Sequence, residues 1–331
     1  MIYPWLEDTW SSIRRLVDRT PHALLIHGVP GIGKLELAEA FVQLLLCEQR
    51  TGSGDACGRC EACRWFRVGN HPDFRRVEPE AVARTSARQE DDESRVGSRA
   101  AKPSIEIKVD QVRELADFLY IGSHRGRLRV ALVHPAESMN VHAGNSFLKS
   151  LEEPPLGAIF VLVSHQPARI LPTIRSRCVA LPVLLPEGPT ALAWLEAQGA
   201  KDARRWLDFA GGAPLKALQI AKGGQGDAIS RMLRALADDD REALVGGLSS
   251  SEELGILAEV LQKVAIDRAM SAMGAAARYG TCESTGGNRD LARPWLAYAR
   301  LMGRNRMLAT HPLNARLFGS EMLAAMPSEK G

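Results

Sequence analysis

Four cysteines in the N-terminal part of the chain have the type and spacing of a metal site. Cys57, Cys60 and Cys63 form a C-x₂-C-x₂-C run, and Cys47 lies ten residues upstream of it. Four thiolates spaced in this way can complete the tetrahedral shell of a structural zinc ion, which leaves no open position for catalysis. Iron–sulfur ligation is the rival interpretation, and His71 is an alternative ligand.

The rest of the sequence favours a metal over disulfides. Residues 1–10, MIYPWLEDTW, carry charges and no apolar run, so they do not resemble a signal peptide. No stretch approaches the length that a membrane span requires. We therefore expect a cytoplasmic protein without a membrane partner, and structural disulfides are rare in that compartment. Cys178 and Cys282 are isolated in the sequence and are expected to be ordinary thiols.

A second stretch, GVPGIGKL at residues 28–35, is close to the phosphate-loop pattern G-x-x-x-x-G-K-[ST]. In such a loop the backbone N–H groups wrap the phosphates, and the lysine neutralises their charge. The candidate nucleotide contacts are Gly28, Gly31, Gly33 and Lys34. Leu35 replaces the hydroxyl residue that would hold Mg²⁺. The alternative is a plain tight turn with a solvated lysine.

The acidic residue that helps to organise magnesium is also missing. It belongs at the end of a following buried strand. The candidate strand VALVH runs into His134 and Pro135, and Glu137 is the first acid after it. These two independent losses predict a degenerate loop that binds little or no nucleotide and does not hydrolyse ATP.

The glycine loop lies in the setting that a phosphate loop requires. The apolar run ALLIH at 23–27 predicts a buried strand before it, and LELAEAFVQLLLC at 35–47 predicts a helix after it. VALVH at 130–134 and IFVLVS at 159–164 are two further strand candidates. Strands that alternate with helices predict an α/β domain with a parallel sheet.

Three other segments of this region carry predictions. IEIKVDQVRELADFLY at 105–120 is expected to begin as a strand and to become a helix with Asp110 as its N-cap. The stretch NSFLKSLEEPP is expected to end a helix at Pro154 and Pro155. Residues 84–102 are polar, charged and free of aromatic residues, so we expect a disordered loop there.

Length and composition bound the rest of the chain. Its 331 residues suit two or three domains, and its net charge of +3 lacks the basic footprint of a dedicated DNA-binding domain. Strand-like runs stop after about Pro186, and the later segments have helical patterns with a break at Gly223 and Gly224. The sequence thus predicts an α/β domain, a small helical domain and a helical bundle.

The motifs occur in an order that resembles one family. After the glycine loop and the cysteine run come HPDF, IKVDQVREL, NSFLKSLEEPP, LPTIRSRC and, near the end, HPLNARL. This order is similar to that of the delta-prime subunits of bacterial DNA polymerase III, which belong to the sliding-clamp loader. The likeness covers essentially the whole chain, and the Leu-Glu-Glu-Pro-Pro and Ser-Arg-Cys signatures are specific to clamp-loader ATPase-like subunits.

The resemblance implies a fold of the AAA+ type. Residues 1–185 would form an α/β domain around a P-loop-type parallel sheet and would carry the zinc-binding knuckle at 47–63. Residues 186–225 would form a small helical lid domain. Residues 226–331 would form an all-helical collar domain used for oligomerisation.

The resemblance also implies a role in DNA replication. Motor ATPase subunits, a delta subunit and this chain would form an open hetero-pentamer that loads the clamp for the polymerase III holoenzyme. This chain would be its rigid stator, would not turn over ATP and would meet primer-template DNA indirectly. Arg177 of Ser176-Arg177-Cys178 matches the family's arginine finger, which would act on the ATP of the adjacent motor subunit. The alternative is one more surface arginine.

Two positions match nucleotide contacts of the active relatives. Ser164, at the end of IFVLVS, takes the place of a polar sensor and is interpreted as vestigial. Leu215 of GAPLKAL takes the place of an arginine of the lid, and Lys216 is one position off and expected to be solvated. This is a third missing nucleotide contact.

Two rival functions remain at this point. One is an autonomous P-loop ATPase with unorthodox metal binding, which the missing hydroxyl, acid and lid arginine oppose. The other is a nucleic-acid-binding regulator built on the zinc knuckle, which the near-neutral net charge opposes.

Overall fold

The computed structural model describes residues 2–88, 103–121, 128–281, 289–309 and 314–327. The chain divides into two compact units, Met1–Leu185 and Pro186–Gly331. The division falls where strand-like runs stop in the sequence. Each unit has a buried apolar core of its own.

A five-stranded sheet lies at the centre of the first unit, counted over the described residues. In chain order its strands are β1 Ala23–His27, β2 Phe74–Val77, β3 Arg129–Val133, β4 Ala158–Ser164 and β5 Val179–Pro182. They lie in the order β2-β3-β4-β1-β5, and every neighbouring pair is parallel. The predicted α/β class with a parallel sheet is confirmed.

The register of the sheet brings the carboxyl ends of its central strands together. His27 at the end of β1 lies opposite Ser164 at the end of β4, and Val133 of β3 lies opposite Leu162 of β4. Open parallel sheets bind their ligands beyond the carboxyl ends of the strands. The glycine loop, His134 and the residues after β4 therefore share one edge of the sheet.

Helices and short connections carry the other candidate residues of the first unit. Its described helices are α1 Glu7–Leu16, α2 Lys34–Leu46, α3 Glu61–Arg67, α4 Glu80–Arg88, α5 Val109–Tyr120, α6 Val141–Glu152 and α7 Pro172–Arg175. As predicted, α2 follows the glycine loop and α6 ends before Pro154 and Pro155. Phe147 of α6 meets Phe160 of β4 edge-on at 5.3 Å, which fixes α6 on the sheet.

The prediction for the segment at 105–120 was wrong at its start. Its strand is reduced to an isolated bridge at Ile107. Lys108, and not Asp110, is the N-cap of α5. The backbone N–H of Lys108 donates to Gln111 Oε1 at 2.9 Å, so Asp110 lies inside the first turn, where its charge suits the helix dipole.

The prediction of a disordered loop at 84–102 was wrong for its first residues. Residues 84–88 belong to α4. Glu80 at the start of that helix accepts hydrogen bonds from the N–H of Ser104 and from the ammonium group of Lys108. The remainder of the loop, 89–102, lies outside the described residues, as do Cys282 and the first three residues of HPLNARL.

The described part of the second unit is helical, as predicted. Its helices are α8 Gly188–Ala197, α9 Ala203–Phe209, α10 Pro214–Lys222, α11 Gln225–Ala237, α12 Arg241–Gly246, α13 Ser251–Ala272, α14 Arg289–Leu308 and α15 Ala315–Ala324. One apolar cluster runs from Ala191 to Leu323. The separation of a lid from a collar at residue 225 stays a prediction. Among the described helices, none has the length and apolar character of a membrane span.

Asp267 of α13 is fully buried and organises the chain that follows this helix. Its carboxylate accepts the backbone N–H groups of Arg278, Tyr279 and Thr281 at 2.8–2.9 Å and the Thr281 hydroxyl at 2.7 Å. A buried charge is costly unless donors surround it. These four bonds therefore hold residues 278–281 in one conformation without a helix or strand.

Candidate functional site

The four predicted cysteine ligands meet in one cluster. The Sγ atoms of Cys47, Cys57, Cys60 and Cys63 all lie within 4.8 Å of one another, and those of Cys47 and Cys60 are 4.0 Å apart. A tetrahedral zinc ion with zinc–sulfur bonds of about 2.3 Å separates its sulfur atoms by about 3.8 Å. A disulfide requires about 2.05 Å. The donors and their spacing thus fit one tetrahedral ion and do not fit a disulfide.

Backbone N–H groups of the same segment donate to the sulfur atoms. Cys57 donates to Cys47 Sγ at 3.3 Å, Cys60 to Cys57 Sγ at 3.3 Å and Cys63 to Cys60 Sγ at 3.4 Å. Hydrogen bonds of this kind favour the thiolate form, which is the form that binds a metal. Gly58, with φ of +68°, supplies the left-handed residue that turns the chain between two ligands.

The environment shifts the pKa of the Cys57 thiol in the opposite direction to those of the Cys47 and Cys63 thiols. Burial raises the pKa of the Cys47 and Cys63 thiols. The backbone N–H groups of Arg59 and Cys60 lower the pKa of Cys57 to about 6. A zinc ion would have to displace protons from the two buried thiols, so its affinity is expected to fall as the solution becomes more acidic.

Two helices hold the cysteine cluster in place. Cys47 directly follows α2, and Cys60 is the N-cap of α3. The connection between them is tied to α1, because Asp55 accepts a hydrogen bond from Trp10 Nε1 at 3.0 Å. Among the described residues, His71 is not part of the cluster, and its Nδ1 accepts the N–H of Asp73 at 3.1 Å.

The surroundings of the glycine loop require glycine at two positions. A Cβ atom on Gly28 would lie 2.4 Å from the carbonyl oxygen of Val183. Gly33 has φ of +89°, and a Cβ atom there would lie 2.5 Å from the ring of Tyr3. Gly31 also has a left-handed φ, of +77°. The conformation and surroundings of the loop thus favour glycine at these positions, and nucleotide contact by them stays a prediction.

Two aromatic residues that the sequence did not single out lie beside the glycine loop. The rings of Tyr3 and Trp5 stack with 5.0 Å between centroids. Trp5 Nε1 donates to the carbonyl oxygen of Ile32 at 2.9 Å, and the Tyr3 hydroxyl donates to Glu36 at 3.4 Å. Burial and the Glu36 carboxylate raise the pKa of Tyr3 to about 12. In the sequence these two residues stand out only as aromatics in a chain that has few, at 5% of its residues, and nothing in it links them to the glycine loop.

Lys34 turns into its own loop. Its side chain is buried, and its Nζ donates to the carbonyl oxygen of Val29. Burial lowers the pKa of Lys34 to about 8, against the opposing effect of Glu137 and Glu36. In this arrangement a backbone carbonyl uses one of the three N–H donors of the lysine, and the next residue, Leu35, offers no hydroxyl.

Histidines lie at the sheet edge where active phosphate-loop enzymes place an acid. His134 follows β3, His165 follows β4, and their Nε2 atoms are 3.3 Å apart. Burial lowers the pKa of both to about 4, so both imidazoles are neutral at pH 7. Glu137 accepts the N–H of His165 at 2.9 Å, and the buried Ser164 hydroxyl accepts the N–H of Gln166 at 3.1 Å. Mg²⁺ prefers oxygen ligands, which these imidazoles do not supply.

Arg177 lies at the protein surface beside the end of α6. Its Nη2 forms an ion pair with Glu152 Oε1 at 2.7 Å, and its Nη1 donates to the carbonyl oxygen of Thr173 at 2.9 Å. The side chain is 36% exposed. The neighbouring Arg175 donates instead to the carbonyl oxygen of Pro167 at 3.4 Å. The two arginines are thus held by different partners.

The expectation that Lys216 is solvated was wrong. Its ammonium group pairs with Glu259 of α13, which also binds Lys263 and Arg306. Burial alone would raise the pKa of Glu259, but the three cations outweigh it and lower that pKa to about 2. Lys216 therefore belongs to an ion network inside the helical unit, and Leu215 beside it offers no charge.

Comparison with known proteins places these features in a family. A family model described as DNA polymerase III, delta subunit, matches residues 9–185. DNA polymerase III subunit delta' of Pseudomonas aeruginosa is 41% identical over 68% of this chain. The subunit delta' of Yersinia pestis is 34% identical over 81% of this chain. The chain belongs to the delta-prime family of DNA polymerase III subunits.

The residues matched by the family model, 9–185, include the cysteine cluster, the glycine loop and Arg177. The chain spans 62% of the length of the Pseudomonas aeruginosa delta-prime subunit and 72% of the Yersinia pestis one. A solved structure of a DNA polymerase III gamma subunit-related protein from Thermotoga maritima has 14% sequence identity and a TM-score of 0.49. The structural match covers 95% of this chain and 97% of the Thermotoga maritima chain.

Proposed function

We propose that this chain is the delta-prime subunit of a DNA polymerase III clamp loader and acts there as a non-catalytic stator. The observation that carries the proposal is the match to delta-prime subunits of two bacteria over most of the chain. The clamp loader would place the sliding clamp on primed DNA during replication. This chain would contact primer-template DNA indirectly, through the assembled holoenzyme.

The glycine loop supports a role without ATP turnover. Lys34 is bonded to Val29, Leu35 lacks a hydroxyl, and the residue after β3 is the neutral His134. Leu35 and His134 each take the place of an oxygen-bearing side chain that helps to hold magnesium. The isolated chain is therefore expected to show no magnesium-dependent ATPase activity.

Arg177 is proposed to act on ATP that a neighbouring motor subunit binds. A guanidinium has five N–H donors, and the bonds to Glu152 and Thr173 use two of them. The others are available to a phosphate oxygen of an adjacent subunit, where an arginine finger stabilises charge that develops in the transition state. The partners would be the motor ATPase subunits and a delta subunit in a hetero-pentamer.

The cysteine cluster is proposed to hold one structural zinc ion. Cys47, Cys57, Cys60 and Cys63 would be its ligands, and the backbone N–H groups that donate to their sulfur atoms would support it. Four protein ligands leave no open position, so the ion would stabilise the fold and take no part in chemistry.

Substitution of Arg177 in a reconstituted clamp loader tests this function. We expect Arg177→Ala to reduce ATP turnover at the neighbouring site by about 10³-fold or more and to slow clamp loading strongly. Arg175→Ala is the matched control, since Arg175 lies two residues before Arg177 but donates to the carbonyl oxygen of Pro167. Assembly, followed by gel filtration, should be unchanged in both variants. Normal clamp loading by the Arg177→Ala complex would contradict the assignment of the finger.

A further inference from the structure

Glu152 is a carboxylate in a place that does not favour one. It is the last residue of α6, and Glu153 follows it directly. The C-terminal end of a helix carries a partial negative charge, so acidic residues there are unfavourable. Arg177 supplies the compensating cation, with its Nη2 at 2.7 Å from Glu152 Oε1. The ion pair therefore offsets the unfavourable charge of Glu152 and gives the Arg177 guanidinium a fixed partner.

Two partners fix the orientation of the Arg177 guanidinium. Glu152 binds Nη2, and the carbonyl oxygen of Thr173 binds Nη1, so two of its nitrogen atoms are held at once. A long side chain held at two points loses most of its rotational freedom, whereas a solvated arginine samples many rotamers. The guanidinium plane is therefore set before any neighbouring subunit contributes.

Buried residues next to Glu152 and Arg177 hold the two backbone segments that carry them at a fixed distance. Leu151 precedes Glu152 and is buried in the same apolar cluster as Ile174, which lies three residues before Arg177. Nearer the start of α6, a Cβ atom on Gly144 would come within 2.8 Å of the Leu171 side chain. Helix α6 and the start of α7 thus pack closely. The distance between Glu152 and Arg177 rests on core packing as well as on the surface ion pair.

We infer that Glu152 is a positioning residue for the arginine finger. It holds the guanidinium in one orientation and leaves three N–H donors for the γ-phosphate of the neighbouring subunit. Finger catalysis depends on geometry, and a small displacement of such a group costs large factors in rate. The inference deepens the proposed function and rests on it, since Glu152 acts only through Arg177.

A competing role for Glu152 makes the opposite prediction. If the carboxylate held Arg177 away from ATP, its removal would release the finger and raise the rate of clamp loading. If it positions the finger, removal lowers the maximal rate and leaves the ATP concentration for half-maximal rate unchanged, because the motor subunit binds the nucleotide. The sign of the effect separates the two roles.

The test uses the reconstituted complex with Glu152→Ala, Glu152→Gln and Glu153→Gln. We expect Glu152→Ala to lower the maximal clamp-loading rate about 10- to 100-fold. Glu152→Gln should recover part of the rate, since an amide oxygen still accepts a hydrogen bond from the guanidinium. Glu153→Gln removes the same charge one residue away and should load clamps at the normal rate.

A double substitution shows whether Glu152 acts through Arg177. Glu152→Ala combined with Arg177→Ala should be no slower than Arg177→Ala alone. Additive losses, a normal rate for both Glu152 variants, or a faster rate for either would overturn the inference. Those results would leave the proposed function standing as long as Arg177→Ala is slow. A normal clamp-loading rate for Arg177→Ala would contradict the assignment of Arg177 as the arginine finger. Thermal unfolding and assembly of each variant identify any loss caused by misfolding.

Discussion

Gly33 and Lys34 are adjacent in the glycine loop but are held by different constraints. Gly33 is fixed by its left-handed backbone and by the ring of Tyr3 beside it. Lys34 is fixed by a hydrogen bond to the carbonyl oxygen of Val29. The first constraint sets the backbone of the loop, and the second occupies one N–H donor of the lysine side chain.

Substitution of Gly33 should reveal how much the contact with Tyr3 constrains the fold. Gly33→Ala places a Cβ atom 2.5 Å from that ring at a φ that alanine disfavours. We expect a loss of about 3 kcal/mol in the free energy of unfolding, from backbone strain and overpacking together. Gly69→Ala is the control, because Gly69 has φ of +72° and open space around it, and should lose about 1–2 kcal/mol. Equal losses in urea unfolding would exclude a contribution from Tyr3.

The cysteine knuckle at 47–63 has little regular structure between its first and third ligand candidates. Cys47 and Cys60 are attached to α2 and α3, while the chain between them has no helix or strand. Its buried cluster consists of three cysteines and Ala62, with Cys57 and Ala56 packed against it and partly buried. Such a small apolar group gives little burial energy. A bound zinc ion would therefore supply much of the stability of this segment.

Metal analysis of the purified chain tests the knuckle directly. We expect about one zinc ion per chain, and its loss in Cys60→Ser together with a lower unfolding temperature. Cys178→Ser, which changes a thiol outside the cluster, should keep the metal. Acidification should release zinc, because protons compete for the buried Cys47 and Cys63 thiols, whose pKa values are raised. A zinc content far below one per chain would exclude the four-cysteine site.

The ion network around Glu259 links three helices of the second unit. Lys216 of α10, Lys263 of α13 and Arg306 of α14 share this one carboxylate. Removing one partner of a buried charge group is more damaging than replacing the whole group, because the remaining charges stay buried. Glu259 is the common partner, so its loss leaves three cations close together.

We expect Glu259→Gln to reduce the free energy of unfolding by about 3 kcal/mol at pH 7. The pKa of Glu259 is about 2 in the folded protein against an ordinary 4.5, so its charge stabilises the fold above pH 4.5. That contribution is lost as the pH falls toward 2. The difference between wild type and variant, measured by urea unfolding, should therefore shrink over this range. The exposed Glu252→Gln is the control, and a difference that is independent of pH would contradict the assignment.

For the whole molecule, the charge balance limits what the chain can do alone. Its net charge is +3. Proteins that hold DNA by themselves neutralise many phosphates and respond steeply to salt. A chain so close to neutral is better suited to contacts with other subunits than to an independent hold on nucleic acid.

The isolated chain should therefore bind primer-template DNA weakly. We expect a dissociation constant above about 10 µM at physiological salt, within the range of non-specific binding. Fluorescence anisotropy between 50 and 200 mM salt measures it, with and without a zinc chelator. Tight, salt-dependent binding that a chelator abolishes would favour a nucleic-acid-binding regulator over a stator.

The sequence predicted the parts of the molecule whose signal is local. The strands at 23–27, 130–134 and 159–164 were recognised because both faces are buried and the residues form continuous apolar runs. The two edge strands, β2 and β5, were missed because they bury few residues. The cysteine cluster was predicted from the spacing of its four residues alone.

Contacts between residues that are far apart in the sequence could not be predicted from local sequence patterns. The ion pair of Glu152 with Arg177 and the ring of Tyr3 beside Gly33 depend on how helices and loops pack. The partner of Lys216, Glu259, lies on another helix, so the local sequence around Lys216 did not reveal the ion pair. Glu152 did lie inside a recognised motif, and an acid at the end of a helix was the signal that could have indicated a cationic partner.

The carboxylate of Asp267 has a consequence for the exchange of hydrogen with solvent. Amides outside helices and strands usually exchange fast, because no bond must break first. The N–H groups of Arg278, Tyr279 and Thr281 instead end on a fully buried acceptor. In deuterated water these three should remain protonated as long as the amides of α13.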